Sequence, residues 1–435
     1  MAAQHDHLKS TNDDPAGRLS TNSLLNLAEL ILQQTTSING YLRENAIAPP
    51  TFDADSSKPP ETAEYQALHG SLTSSLEDLQ RLIDGPKESI RSYLLVGFEL
   101  AAAQVAFEFD FFNIIPEDGG MEVGELAKKA GMDADRAARF LRILATRRIF
   151  QEKTPGHFSH TALSRAFAKD EDIKCTGQFA TDELLKAATS SADCVKASPY
   201  ESDSAHCPFS TRHGMSMFEF YGKNPRYAAR FAKAMAGITK IDRQITELKD
   251  CFPWENLQGT VVDVGGGSGH TSISLARKFP HLSFVVQDGS ADMLAQGKKL
   301  DLHDVEGQVT WMQYDFFQPQ PLRDVAAFFI RQCTHNWCDR DVVKIFKSFV
   351  PGLEGSKPGT PLLINETILP EPGTKPLHEE RAFRQMDMLM YVNLGAKQRT
   401  KNEFEALLKE ADPRYEIHNV HAEGNMGLLE VHLRR

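Results

Sequence analysis

The 435-residue sequence has no uninterrupted apolar run approaching the roughly 20 residues that span a bilayer. It opens on MAAQHDHLKS, without the basic-then-apolar order of a secretory leader, and closes on VHLRR, which matches no address signal. These absences predict a cytoplasmic protein with no membrane partner. Basic charge is in deficit. Lys and Arg number 48 against 59 Asp and Glu, a net charge of −11, which argues against nucleic acid or anionic lipid as a partner. Cysteine is scarce. The six residues Cys175, Cys194, Cys207, Cys251, Cys333 and Cys338 form no CxxC pair and no metal-ligand spacing, which excludes a disulfide scaffold and predicts reduced thiols and no metal site. Asn365-Glu366-Thr367 carries the letters of a glycosylation sequon. It lies in an apolar, strand-like run, so it reads as coincidence.

What is present is ordinary for a globular protein: 41% hydrophobic, 25% charged and 9% aromatic. At about 150 residues per domain, the length predicts about three units. Residues 1–60 read as a helical extension and a Pro-rich linker, with the first 20 polar and disordered and a helix over 22–46. A second helical stretch, 62–84, meets a stop signal at Gly85-Pro86. Residues 61–214 hold helix, turn, helix and hairpin: Val123, Leu126 and Ala127 on one face, Gly131 at the turn, Asp133 as a cap, then IFQEK and HFSHT around Thr154-Pro155-Gly156. That is a winged-helix pattern. Arg136, Arg139, Arg142, Arg147 and Arg148 give it a basic tint that fits DNA binding in isolation, but the acidic chain favours a dimerisation module. From residue 215 onward short apolar strands (TVVDV, LSFVVQ, VTWMQ, VAAFFI, PLLINET) alternate with helices, which predicts a doubly wound, mostly parallel α/β sheet.

The strongest local signal is VVDVGGGSGH, residues 261–270. A strand runs through glycines into a helix, where backbone approaches a ligand closely. The dinucleotide fingerprint fails, because His270 stands at its third glycine. Asp263, Gly265, Gly267 and Gly269 suit a nucleoside with a small charged tail. Asp288 ends the next strand, where a carboxylate can accept both ribose hydroxyls. Asp315 and Phe316 follow the third strand and suit an adenine edge and face. His335 follows the fourth strand, at the sheet's carboxyl edge.

These stretches, with IRQCTHNWCDRD, INETILPEPG and LGAKQRT, resemble the S-adenosylmethionine-dependent O-methyltransferases of the plant and fungal small-molecule type, most of all the fungal members that methylate phenolic polyketides. The resemblance covers residues 60–435. It implies S-adenosylmethionine as cofactor, held by Asp263, Gly265, Gly267, Asp288, Asp315, Phe316 and Arg331. It implies His335 as general base, flanked by Glu366 and by position 398, where plant members carry an acid and this chain carries Gln398. Asn336 likewise stands where they often carry Asp. It implies a substrate pocket lined by Tyr227, Phe231, Met235, Trp337, Met388 and Asn393. The implied protein is a homodimeric enzyme of secondary metabolism acting on an aromatic hydroxyl, without a metal. The alternatives are a methyltransferase-like protein that binds the cofactor without transfer, as a pathway regulator, partner or pericyclase, and a DNA-binding regulator built on residues 120–165.

Overall fold

A computed structural model describes residues 23–242, 246–422 and 424–435. The polar first 20 residues lie outside them. The described residues divide into two compact units: those up to 51 together with 56–95, and 52–55 together with those from 96 onward.

In the first unit the helix Ser23–Glu44 meets the start of the helix Ala63–Glu108 through Tyr41, Leu42 and Tyr65, with Ile38, Ile47 and Leu68 around them. The Tyr41 and Tyr65 rings lie 5.6 Å apart, and Tyr41 Oη and Thr62 Oγ1 are 2.6 Å apart. Gly85-Pro86 breaks the helix, as its sequence predicts, with Gly85 at φ 61°. The helix resumes at once, because proline suits a first turn where no N–H bond is needed. An 18-residue window of this helix has a mean hydropathy of 1.3 and is long and apolar enough to cross a membrane, although charged residues interrupt it; 17% of the window is buried.

In the second unit the helix Val123–Ala130 closes on Gly131 at φ 68°, and Asp133 caps the helix Ala134–Thr146 by accepting the Arg136 N–H at 3.1 Å. The hairpin is β2 (Phe150–Thr154) and β3 (His157–His160), and β1 (Met121–Glu122) adds a third antiparallel strand beside β3. Phe111, Phe112, Leu126, Leu141, Phe150 and Phe158 form its core. Arg142 and Arg147, read as basic surface, are paired with Glu152 and Glu99.

The large sheet contains β4 (Gly259–Val264), β5 (Leu282–Asp288), β6 (Val309–Gln313), β7 (Ala327–Arg331), β8 (Leu362–Leu369), β9 (Arg399–Thr400), β10 (Tyr415–Ala422) and β11 (Gly424–Leu433). Its order is 10-11-8-7-4-5-6, with β9 beside β8. Strands 4 to 9 pair in parallel and the last two antiparallel. The order reverses between β4 and β7, so the glycine loop after β4 and the His335 turn after β7 open into one crevice. β8 is buried at every residue. Asn365 is 0% exposed, so the sequon letters mark a core strand. The terminal hairpin of β10 and β11 went unread in the sequence, because histidines and acids dilute its apolar alternation.

On that hairpin Glu430 accepts from His421 at 2.7 Å and His432 at 2.8 Å, and the His418 and His432 rings stack 4.5 Å apart. Burial pushes the Glu430 carboxyl up, but the two histidines outweigh this and hold it below its ordinary value. A depressed carboxylate stabilises the fold above its unfolded pKa, about 4.3, and that contribution is lost as pH falls through the folded value. Glu430→Gln should therefore lower Tm at pH 7, with the gap from the unmodified protein closing below about pH 4 in thermal denaturation across pH.

Candidate active site

The glycine loop folds where three residues accept positive φ: Gly265 at 73°, Gly267 at 59° and Gly269 at 87°. Gly265 and Gly266 donate to the Gln287 carbonyl at 2.7 and 3.1 Å, which ties the loop to β5. Gly267 donates to Asp288 Oδ2 at 3.0 Å, and Ser290 donates to Asp288 Oδ1 at 2.8 Å. The sequence-predicted ribose acceptor thus sits against the loop, with lone pairs to spare on each oxygen. The Asp315 carboxylate stands at the end of the neighbouring strand, where Phe317 N–H caps it at 3.0 Å.

Asp263 occupies a different place from the other predicted cofactor residues. It is 1% exposed, below the loop, and Ser272 Oγ donates to it at 2.6 Å. Burial pushes its carboxyl up to about 6, against the pull of Ser272 and of the Arg331 charge. A Cβ on Gly266 would stand 2.7 Å from that carboxyl. Asp263 is packed directly against the loop at Gly266 and against Ser272. Arg331, half-buried, donates to Asn365 Oδ1, whose amide nitrogen binds the Met426 and Gly427 carbonyls.

The loop and the histidine meet at Cys333. A Cβ on Gly265 would lie 3.1 Å from Cys333 Sγ and 3.8 Å from the Phe316 ring. Cys333 begins the turn that carries His335, and Glu366 anchors that turn. One Glu366 oxygen accepts Cys333 N–H at 2.8 Å, Thr334 N–H at 2.6 Å and Thr334 Oγ1–H at 2.8 Å. The other lies 2.8 Å from His335 Nδ1. Glu366 is 1% exposed. Burial alone would push its carboxyl up, but the His335 charge and these donors reverse that and hold it below its ordinary value. His335 Nδ1 is the ring nitrogen turned toward Glu366.

Gln398 is 3% exposed, its backbone N–H bonds Asp387 at 2.8 Å, and its Oε1 has no hydrogen-bond partner among the described residues. The His335 ring is paired with Glu366, not with Gln398. Of the predicted pocket residues, Phe231 stacks on Tyr221 at 4.7 Å, and Tyr227, Phe231 and Met235 pack with Met390 and Tyr391. Trp337 stands apart from them, edge-on to Phe316 and Phe317 at 5.7 and 4.9 Å. Asn393 is buried with Oδ1 unpartnered among the described residues. Met388 is 51% exposed, in a cavity of about 640 Å³ with Tyr391, Cys338 and Asp387. Tyr227 opens instead on a recess of about 380 Å³ beside Arg226 and Arg230. The sequence reading missed Thr334 and Cys333. The signal for them was their position in the turn just ahead of the histidine.

Residues 192–413 match the O-methyltransferase domain and residues 96–170 the O-methyltransferase dimerisation domain. The chain belongs to the O-methyltransferase family. It is 62% identical to O-methyltransferase sol2 of Alternaria solani, over 98% of this chain and 99% of that one. It is 28% identical to the chlorophenol O-methyltransferase of Trichoderma longibrachiatum, over 98% and 93%. Its fold matches the crystal structure of OxaC in complex with sinefungin and meleagrin, with a TM-score of 0.71 at 21% identity over 93% and 99%. This O-methyltransferase takes its methyl group from S-adenosylmethionine, and the loop geometry suits that donor. Gly265 can carry no side chain without meeting Cys333, and Asp288 is fixed at the loop's edge.

Gly265→Ala adds a Cβ at φ 73° facing Cys333. If the loop relaxes out of its ligand-ready shape to relieve the strain, restoring that shape costs roughly 1–3 kcal/mol, which should weaken S-adenosylmethionine binding about 5- to 150-fold in calorimetry.

Proposed function

We propose that this O-methyltransferase methylates a phenolic hydroxyl of an aromatic small molecule in secondary metabolism, with His335 as general base. The observation that carries the reading is the His335 Nδ1–Glu366 Oε2 contact at 2.8 Å, made by a carboxylate that is itself buried and saturated with donors. A phenol has a pKa near 10 and imidazole near 6.5, so the hydroxyl proton moves as the oxygen attacks, not before. His335 Nε2 takes that proton. Glu366 holds the ring in the required tautomer and offsets the imidazolium charge. The bound cofactor supplies an electrophilic sulfonium methyl. Aromatic rings gather in two separate clusters, Trp337 with Phe316 and Phe231 with Tyr221, and either supplies apolar surface of the kind an aromatic ring packs against. A relative named for chlorophenol is consistent with a phenolic acceptor.

His335→Ala should reduce transfer of a radiolabelled methyl group to a panel of mono- and dihydroxyphenols by about 10²–10⁴-fold. S-adenosylmethionine affinity should hold within about twofold, because the glycine loop keeps its own bonds. Full turnover by the variant would show that another group takes the proton.

The enzyme is further proposed to work as a homodimer. Support comes from the dimerisation-domain match and from an apolar groove of about 680 Å³ in which Phe98, Val105 and Phe109 face Met132, Phe140 and Ile143. Phe98 is 70% exposed. Phe98→Glu should shift sedimentation from dimer toward monomer, whereas a monomeric unmodified enzyme would refute the assignment.

A further inference from the structure

Arg399 is fully buried, with 0% side-chain exposure. A buried guanidinium persists only where its donors are matched. Nε and Nη2 bind Asp339 Oδ1 at 2.9 and 2.8 Å. Nη1 donates to the Thr334 carbonyl and to the Lys397 carbonyl, each at 3.1 Å. Nη2 also donates to the Trp337 carbonyl at 2.8 Å. Thr334 and Trp337 bracket His335, one residue before it and two after. The short turn Thr334–Asn336 has no side-chain cap of its own. It is gripped from the β8 side by Glu366 and from the β9 side by Arg399.

The grip is itself anchored at consecutive residues. Lys397 Nζ binds Asp339 Oδ2 at 3.0 Å and Glu403 Oε1 at 2.9 Å. Gln398 N–H binds Asp387, and Thr400 N–H binds Glu403 Oε2 at 2.8 Å within a capping box. Asp339 opens the helix Asp339–Glu354, so the same carboxylate joins that helix to the fork. Only a planar fork reaches three carbonyls and a carboxylate together. An ammonium group is a point donor and cannot span them.

We propose that Arg399, oriented by Asp339, is a positioning residue for His335: it fixes the imidazole's direction by holding the carbonyls on either side of the turn. The proposal rests on the reading of His335 as the base, and its test separates the two. Arg399→Lys should lower kcat about a hundredfold on whichever phenol of the panel the unmodified enzyme methylates fastest. Calorimetric affinity for S-adenosylhomocysteine should stay within about twofold. In the His335→Ala background the same substitution should add less than about threefold, because residues acting as one unit are not additive.

A third readout needs no acceptor. In ¹⁵N-histidine spectra the His335 resonance, identified by its loss in His335→Ala, should move in Arg399→Lys as its contact with Glu366 loosens. Glu366, Arg399 and Asp339 are the charged groups gripping this turn. An unmoved resonance, or a full extra loss on top of His335→Ala, would overturn the proposal and leave Arg399 as a core arginine. A fully active His335→Ala would instead overturn the base reading. If Arg399→Lys fails to fold, Asp339→Asn, at a carboxylate 44% exposed, replaces it in the same measurements, and the same results support or overturn the proposal.

Discussion

The active half of this enzyme depends on one buried carboxylate. Glu366 sits in a strand with no exposed residue, where an unpaired charge would be intolerable. It is held toward the ionised form because three backbone N–H groups, a hydroxyl and an imidazole converge on it. Those donors all belong to residues 333–335, so meeting the needs of the carboxylate folds the turn. Parallel pairing of β7 with β8 sets Arg331 opposite Asn365, and the turn begins two residues later. The register of two strands thereby decides where the histidine stands.

That constraint reaches the cofactor side through Cys333. Its N–H is held by Glu366 and its sulfur lies under the space a side chain on Gly265 would fill. The glycine is needed for two separate reasons, the positive φ and the closeness of the sulfur. The loop is also shaped from below, by Asp263 on Ser272, and from the side, by Asp288 on Gly267. Each acid near the crevice therefore does a different job. Asp288 faces outward at the loop's edge, whereas Asp263 is walled in so completely that its carboxyl is pushed up to about 6.

The alternation of short apolar strands and helices was enough to read the parallel sheet, because burial on both faces makes those strands apolar throughout. The positions of the glycine loop, Asp288 and Asp315 at or just beyond strand ends were legible, because the apolar strands mark where they stop. The depth of Asp263 was not, since an acid at a strand's end gives no sign of which way it points. The antiparallel β10 and β11 were lost because His418, His421, Glu430 and His432 form a polar network on a sheet face that alternation scores as surface. The pocket was the least legible part. Tyr227 and Met388 carry suitable side chains, yet they open on different hollows, and only the tertiary fold separates them.

The neutral Gln398 then has a physical meaning. With neutral imidazole, the His335–Glu366 couple carries one negative charge. In the proposed role of His335 as base, taking a proton turns the couple into a neutral pair. In a site this poorly solvated, going from a net charge to a compensated pair is favourable without further help. A second buried carboxylate at position 398 would leave a net charge behind and carry its own desolvation cost. An amide in that place has no charge to desolvate, and its buried Oε1 remains available as an acceptor. On the proposed reading the base is balanced by one acid whose own charge is secured by five donors, so an amide in place of the second acid is compatible with proton removal.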